Sequence, residues 1–171
     1  QGKDIRERIG VVLDDSFLSG ELTALDLGKI AKNIYRRWDE PCFFRMLQSL
    51  QLPPDKRIKK YSSGMKAKLK MAAALPHRPD LLVLDEPTAG LDPVARNEIL
   101  GILRTFAEDP GHAVVSSHIT SDLERIADRI VFIHQGRTVL SNSTRGLIED
   151  SSLEELMLRY GKSRQRGGVV A

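Results

Sequence analysis

The chain alternates short apolar runs with stretches of helical spacing. Residues 9–13 (IGVVL) form a β-rich run ending at Asp14-Asp15, which reads as a strand feeding a loop. From Glu21 to about Leu50 the spacing turns helical. Leu22, Leu25, Ile30, Ile34 and Tyr35 make one stripe, and Phe43, Phe44, Leu47 and Leu50 make another. Pro53-Pro54 closes that block. Residues 65–75 are rich in Lys and Ala and predict a helix. Pro76 and Pro79 punctuate before a second apolar run, residues 81–84 (LLVL). Ile99, Ile102, Leu103 and Phe106 return to helical spacing, and Ala113-Val114-Val115 predicts a buried strand ending at Ser116-Ser117-His118. A short helix over 122–127 and a strand over 130–133 follow, and Gly136-Arg137 predicts a hairpin turn into Val139-Leu140. Strand–helix–strand alternation between residues 81 and 133 predicts right-handed crossovers and a parallel sheet, hence an α/β fold. Leu153, Leu156 and Met157 predict a last amphipathic helix, and the Arg-, Gly- and Ser-rich stretch 161–171 is expected to be disordered.

Composition narrows the picture only a little. The chain's 171 residues are enough for one domain, or one domain and a tail, and 41% hydrophobic residues suffice for a core. A net charge of +3 gives nucleic-acid binding little support, and no such partner is expected. The single cysteine, Cys42, can form no internal disulfide and reads as a packing residue, which suits a reducing compartment. No apolar run is long enough to cross a bilayer. The chain begins at Gln1 and not at methionine, which reads as a truncation point.

The chemistry concentrates where residues 81–84 run into Asp85-Glu86-Pro87-Thr88. A buried parallel strand delivers acids to the C-terminal edge of a sheet, where α/β proteins bind ligands. Two carboxylates there suit Mg²⁺ binding (Asp85) and activation of a water (Glu86) in phosphoryl transfer. Upstream, Ser62-Ser63-Gly64 precedes the helix of residues 65–75; small residues at a helix start leave N–H groups open to an anion, although the same pattern also serves as a plain N-cap. His118 falls at the end of the 113–117 strand, where it can hydrogen-bond a phosphate; His77, His112 and His134 read as surface residues. Ala89-Gly90-Leu91-Asp92-Pro93 is a tight loop after the acids, with Asp92 also a candidate N-cap. Lys59-Lys60 and Lys66, Lys68 and Lys70 flank the Ser-Ser-Gly segment and read as a solvated helix face.

From about Ile9 to Leu140 the chain resembles the ATP-binding subunit of an ABC transporter, from just past the P-loop onward. Residues 81–93 (LLVLDEPTAGLDP) are similar to that family's Walker B strand and D-loop. The resemblance implies a P-loop NTPase-type α/β core with a parallel sheet and a helical subdomain, the N-terminal P-loop segment being absent. It implies boundaries too: the end of a core strand and Q-loop at 1–15, a helical subdomain with the signature at 16–75, the Walker B, D-loop and switch region at 76–140, and a C-terminal helix and tail at 141–171. By the same resemblance Asp85 is the Mg²⁺-associated acid, Glu86 the catalytic base, His118 the switch histidine and Asp92 the aspartate that contacts an opposing subunit. Residues 61–65 (YSSGM) occupy the signature position, usually L-S-G-G-Q; Ser62 and Gly64 match, while Tyr61, Ser63 and Met65 depart. Asp14 (or Asp15) stands where the family commonly carries the Q-loop glutamine; an aspartate's oxygens can still serve as hard ligands to Mg²⁺.

No G-x-x-x-x-G-K-[ST] occurs; Gly161-Lys162-Ser163 lacks the first glycine, with Leu156 in its place. The expectation is therefore a truncated form of a cytoplasmic ATPase, peripheral on the inner face of the membrane. In the intact protein, two such subunits, alike or different, would bind ATP and Mg²⁺ between them and drive a permease. Phe43 and Phe44, within a docking surface at residues 38–50, are the expected permease anchors. Two alternatives stand beside it: a soluble ABC-type ATPase not tied to transport, and a catalytically silent module that lends its signature to a partner's ATP site.

Overall fold

The computed structural model describes residues 2–13, 19–108, 111–149 and 152–162. They form two compact units, divided after Ser117. The expectations placed on Asp14 and on residues 163–171 lie outside the described residues.

The first unit opens with helix α1 (Gly2–Arg6) and strand β1 (Ile9–Val12). Three helices then build the predicted helical block: α2 (Ala24–Ile34), α3 (Glu40–Ser49) and α4 (Ser63–Ala74). Each starts on a side chain that satisfies an orphan N–H. Thr23 and Asp26 close a capping box on α2, Asp39 accepts from Cys42 N–H on α3, and Ser62 accepts from Met65 N–H on α4. The helices pack around Ala24, Phe43, Leu47, Ile58, Tyr61, Leu69 and Ala72. α2 and α3 approach closely because position 28 is glycine; a β-carbon there would meet the Phe43 ring at 2.7 Å. Phe43 is 0% exposed and Phe44 is 44% exposed, so of the two expected surface anchors only Phe44 is available. Phe43 instead fills the centre of the helical layer.

Strand β2 (Leu81–Asp85), helix α5 (Pro93–Glu108) and strand β3 (His112–Ser116) complete this unit. The sheet has the order β1-β2-β3, and both pairings are parallel; the β2–β3 pairing is the one the alternation predicted. β2 is central, with Leu82 and Leu84 buried. The expectation of a buried strand at 113–115 fails in one respect: β3 ends the sheet among the described residues, and Val114 is 59% exposed. His77, expected at the surface, is fully buried. It sits in the turn after α4, its ring stacked on Tyr35 at 4.0 Å between centroids, and its Nε2 lies 3.2 Å from the Ile9 carbonyl.

The second unit carries helix α6 (Thr120–Ile126), strands β4 (Arg129–His134) and β5 (Arg137–Ser143), and helices α7 (Thr144–Ile148) and α8 (Leu153–Lys162). β4 was expected to extend the parallel sheet. It pairs antiparallel with β5 through the turn predicted at Gly136, whose φ is +72°. The apolar run 130–133 alternates in burial, with Ile130 at 5% and Ile133 at 70% exposure; that is the pattern of a one-sided hairpin. Ile130, Leu147 and Leu153 form its core, so α8 appears where the apolar spacing placed it. Gly161 and Lys162, expected in a disordered tail, belong to α8.

Candidate functional site

Buried β2 ends by presenting two acids at the C-terminal edge of the parallel sheet. The Asp85 side chain lies at that edge and accepts a hydrogen bond from the Ser116 hydroxyl. Ser117 Oγ lies 3.5 Å from Glu86 Oε2 and donates to it. Glu86 has a φ of +46°, unusual for a residue with a β-carbon. Its N–H donates to Ser116 O at 3.0 Å, and its carbonyl accepts from Ala89 N–H at 3.2 Å. Backbone held in so sparsely populated a region concentrates at functional sites.

The loop after the acids ends in Asp92, whose Oδ1 accepts from Val94 N–H at 2.9 Å and Ala95 N–H at 3.0 Å, capping α5. Those bonds, the Ala95 one foremost, hold its carboxyl below the usual carboxylate range. Gly64, near the start of α4, lies against this cap. A β-carbon at Gly64 would stand 2.9 Å from that of Ala95 and 3.6 Å from Asp92 Oδ2. The Ser62–Gly64 segment and the loop that ends in Asp92 are thereby brought together.

A cleft of about 200 Å³ joins these parts. Val12, Leu13, Ser63, Lys66, Lys70, Asp85, Glu86, Pro87 and Leu91 are among its lining residues. The two acids, a small residue from the start of α4 and two lysines of α4 thus share one wall-to-wall space. Ser62 and Ser63 are exposed and Gly64 is buried. His118 directly follows Ser117 in the chain, is exposed, and belongs to the second unit, so its setting is described there alone.

Three features escaped the sequence. Ser116 and Ser117 were legible as the end of a strand but not as hydrogen-bond donors to the acids. The α4 lysines are not the solvated row they resembled: Lys68 pairs with Glu98 at 2.5 Å, and the Lys70 ammonium donates to Leu13 O at 2.8 Å. The burial of His77 had no signal beyond its place between two prolines. Among the described residues no three metal-ligating side chains cluster. The Asp85 carboxylate at this edge would suit an ion that keeps waters and phosphate oxygens as ligands, as Mg²⁺ does, better than a cation caged by protein.

A parallel sheet, acids at its C-terminal edge and a helical layer define a P-loop NTPase-type α/β domain. Solved structures agree. A structure described as the ATP-binding subunit of an ABC transporter superposes with a TM-score of 0.81 at 26% identity, covering 94% of this chain and 71% of that one. A dimeric ATP-binding cassette in a post-hydrolysis state with ADP and Pi shares the fold, with a TM-score of 0.74 at 24% identity over 85% of this chain and 66% of that one. The chain is 36% identical over 156 residues to the lantibiotic transport ATP-binding protein SrtF of Streptococcus pyogenes, covering 90% of this chain and 66% of that protein. It is 35% identical over 138 residues to the bacitracin transport ATP-binding protein BcrA of Bacillus licheniformis, covering 79% of this chain and 45% of that protein. A family model described as "AAA domain, putative AbiEii toxin, Type IV TA system" matches residues 51–124. The chain belongs to the ATP-binding proteins of ABC transporters. It spans about two thirds of the lantibiotic relative's length and under half of the bacitracin relative's.

Proposed function

We propose that this chain supplies the hydrolytic edge and the signature segment of an ATPase subunit that powers an ABC transporter. The observation that carries the reading is the placement of Asp85 and Glu86 at the end of central strand β2, with the Ser116 and Ser117 hydroxyls on their carboxylates. Bound ATP with Mg²⁺ supplies a phosphoryl group whose charge the ion neutralises. Asp85 offers an outward carboxylate to the ion's water shell. Glu86, fixed by its backbone bonds and by Ser117, orients a water for in-line attack and accepts its proton. His118 is assigned to the developing negative charge and Asp92 to an opposing subunit. Ser62, Ser63 and Gly64 present the N-terminus of α4 to the nucleotide of that second subunit. Asp14, at the Q-loop position, is assigned to the ion's surroundings.

The names of the relatives, transport proteins for a lantibiotic and for bacitracin, favour a membrane permease as partner. Among the described residues no helix is long and apolar enough to cross a membrane, which suits a subunit that docks on the inner face of one. The exposed Phe44 is the anchor offered to that permease. ATP turnover by the full-length gene product tests the reading against its Glu86→Gln variant. Loss of about two to four orders of magnitude in kcat with retained nucleotide binding is expected for removal of a general base. Equal rates in the two proteins would sink the assignment of Glu86. A full-length product that never hydrolyses ATP would favour the silent module.

A further inference from the structure

We infer that Lys70 is a positioning residue of the hydrolytic cleft, an inference that rests on the ATPase reading above. Its side chain leaves α4 two turns after the Ser62 cap and reaches across to strand β1, where the ammonium donates to the Leu13 carbonyl at 2.8 Å. Leu13 is the residue that follows β1, so the bond ties the end of that strand to the helix that carries the signature segment. The same lysine lines the cleft shared by Leu13, Ser63, Asp85 and Glu86. One side chain therefore spans the two elements that flank the acids and sets how far apart they stand.

The choice of residue supports a specific role. α4 is otherwise built of small and apolar side chains on its inner face, with Leu69, Met71, Ala72 and Ala74 buried. The Lys70 ammonium is satisfied by a main-chain carbonyl, which costs less than leaving it without a partner in a half-enclosed space. Lys68, on another face, is occupied by Glu98. Lys66 and Lys70 line the cleft, and they add positive charge beside acids that would otherwise repel a triphosphate. The cleft is thus matched to an anion carried with its cation.

The test compares the full-length gene product with its Lys70→Met, Lys70→Arg and Glu86→Gln variants. Two quantities are read: steady-state ATP turnover, and amide hydrogen exchange of the peptide covering residues 9–13. Lys70→Met should lose about tenfold in kcat, what one hydrogen bond from a charged donor is worth, with the KM for ATP moved far less. Exchange at the end of β1 should rise by a similar factor, and Lys70→Arg should restore part of both. Wild-type exchange in Lys70→Met overturns the inference whatever the rate. Wild-type kcat in Lys70→Met, with Glu86→Gln inactive, also overturns it and leaves the ATPase reading standing. If the unmutated protein hydrolyses no ATP, the ATPase reading falls and the positioning role falls with it; raised exchange then shows a structural strap only.

Discussion

Gly64 of α4 and Ala95 of α5 are in contact so close that no second β-carbon fits between them: one built on Gly64 would stand 2.9 Å from that of Ala95. The start of α4 is thereby seated on the first turn of α5, the helix that follows Asp85 and Glu86. Packing of α4 on α5 holds the start of α4 beside the cleft that the acids line. Gly64→Ala should cost about 1–3 kcal/mol in denaturant unfolding, the usual penalty for overpacking a filled contact. Because the clash is between two named atoms, Ala95→Gly in the same chain should recover part of that loss, and additive losses would show that the contact is not the cause.

Asp92 separates charge from shape. Asparagine can accept the same bonds from Val94 and Ala95 N–H, whereas alanine cannot. Thermal melts should place Asp92→Ala below the wild type and Asp92→Asn near it. The carboxyl is held below its usual range, so its stabilisation is present above the ordinary carboxylate pKa and is lost in acid as pH falls through the lowered value. In Asp92→Asn that acid-range loss should be smaller, and an unchanged acid transition would refute the assignment.

Phe43 and Phe44 are neighbours with opposite duties. Truncating fully buried Phe43 to alanine should cost about 3–5 kcal/mol in chemical unfolding. Phe44→Ser should stay within about 0.5 kcal/mol of the wild type. If Phe44 meets the permease, that second variant should fold normally yet fail to co-purify with membranes that hold the partner.

His77 predicts a weakness in mild acid. Nε2 faces the Ile9 carbonyl and so carries the proton, which leaves Nδ1 buried and without a hydrogen-bond partner. Burial holds the imidazole below its ordinary value, with Arg37 acting the same way and Glu7 and the Ile9 bond opposing. Tyr35, stacked on the ring, also titrates above its usual range because it is buried. The native state thus binds fewer protons at this site than the unfolded chain. The histidine's share of stability is complete above about pH 6.5 and declines as pH falls toward the lowered native value. Urea unfolding at pH 7.5 and 5.5 should show a larger drop for the wild type than for His77→Phe. Equal drops would place the acid sensitivity elsewhere.

Reading the sequence located β1, α4, β2 and α5 because each has an unambiguous period or a boundary residue. The Asp85-Glu86 pair stood out from an ordinary solvated loop because the apolar run 81–84 precedes it and Pro87-Thr88 follows. What escaped depended on distant partners. The run 130–133 is apolar throughout, and only its pairing with β5 shows that one face is open. Phe43 and Phe44 have the same chemistry, and which one points inward is decided by a glycine fifteen positions earlier, Gly28. His77 and Lys70 reveal their settings only when Ile9 and Leu13, far off in the chain, arrive beside them.

Trp38, the sole tryptophan, lies with its ring 5.3 Å from that of Phe43 and 6.4 Å from that of Tyr35. In the connection between α2 and α3, its indole touches Tyr35 at the end of one helix and Phe43 in the other. Any event that prises them apart changes the polarity around one fluorophore. The chain carries its own optical strain gauge, readable without a label.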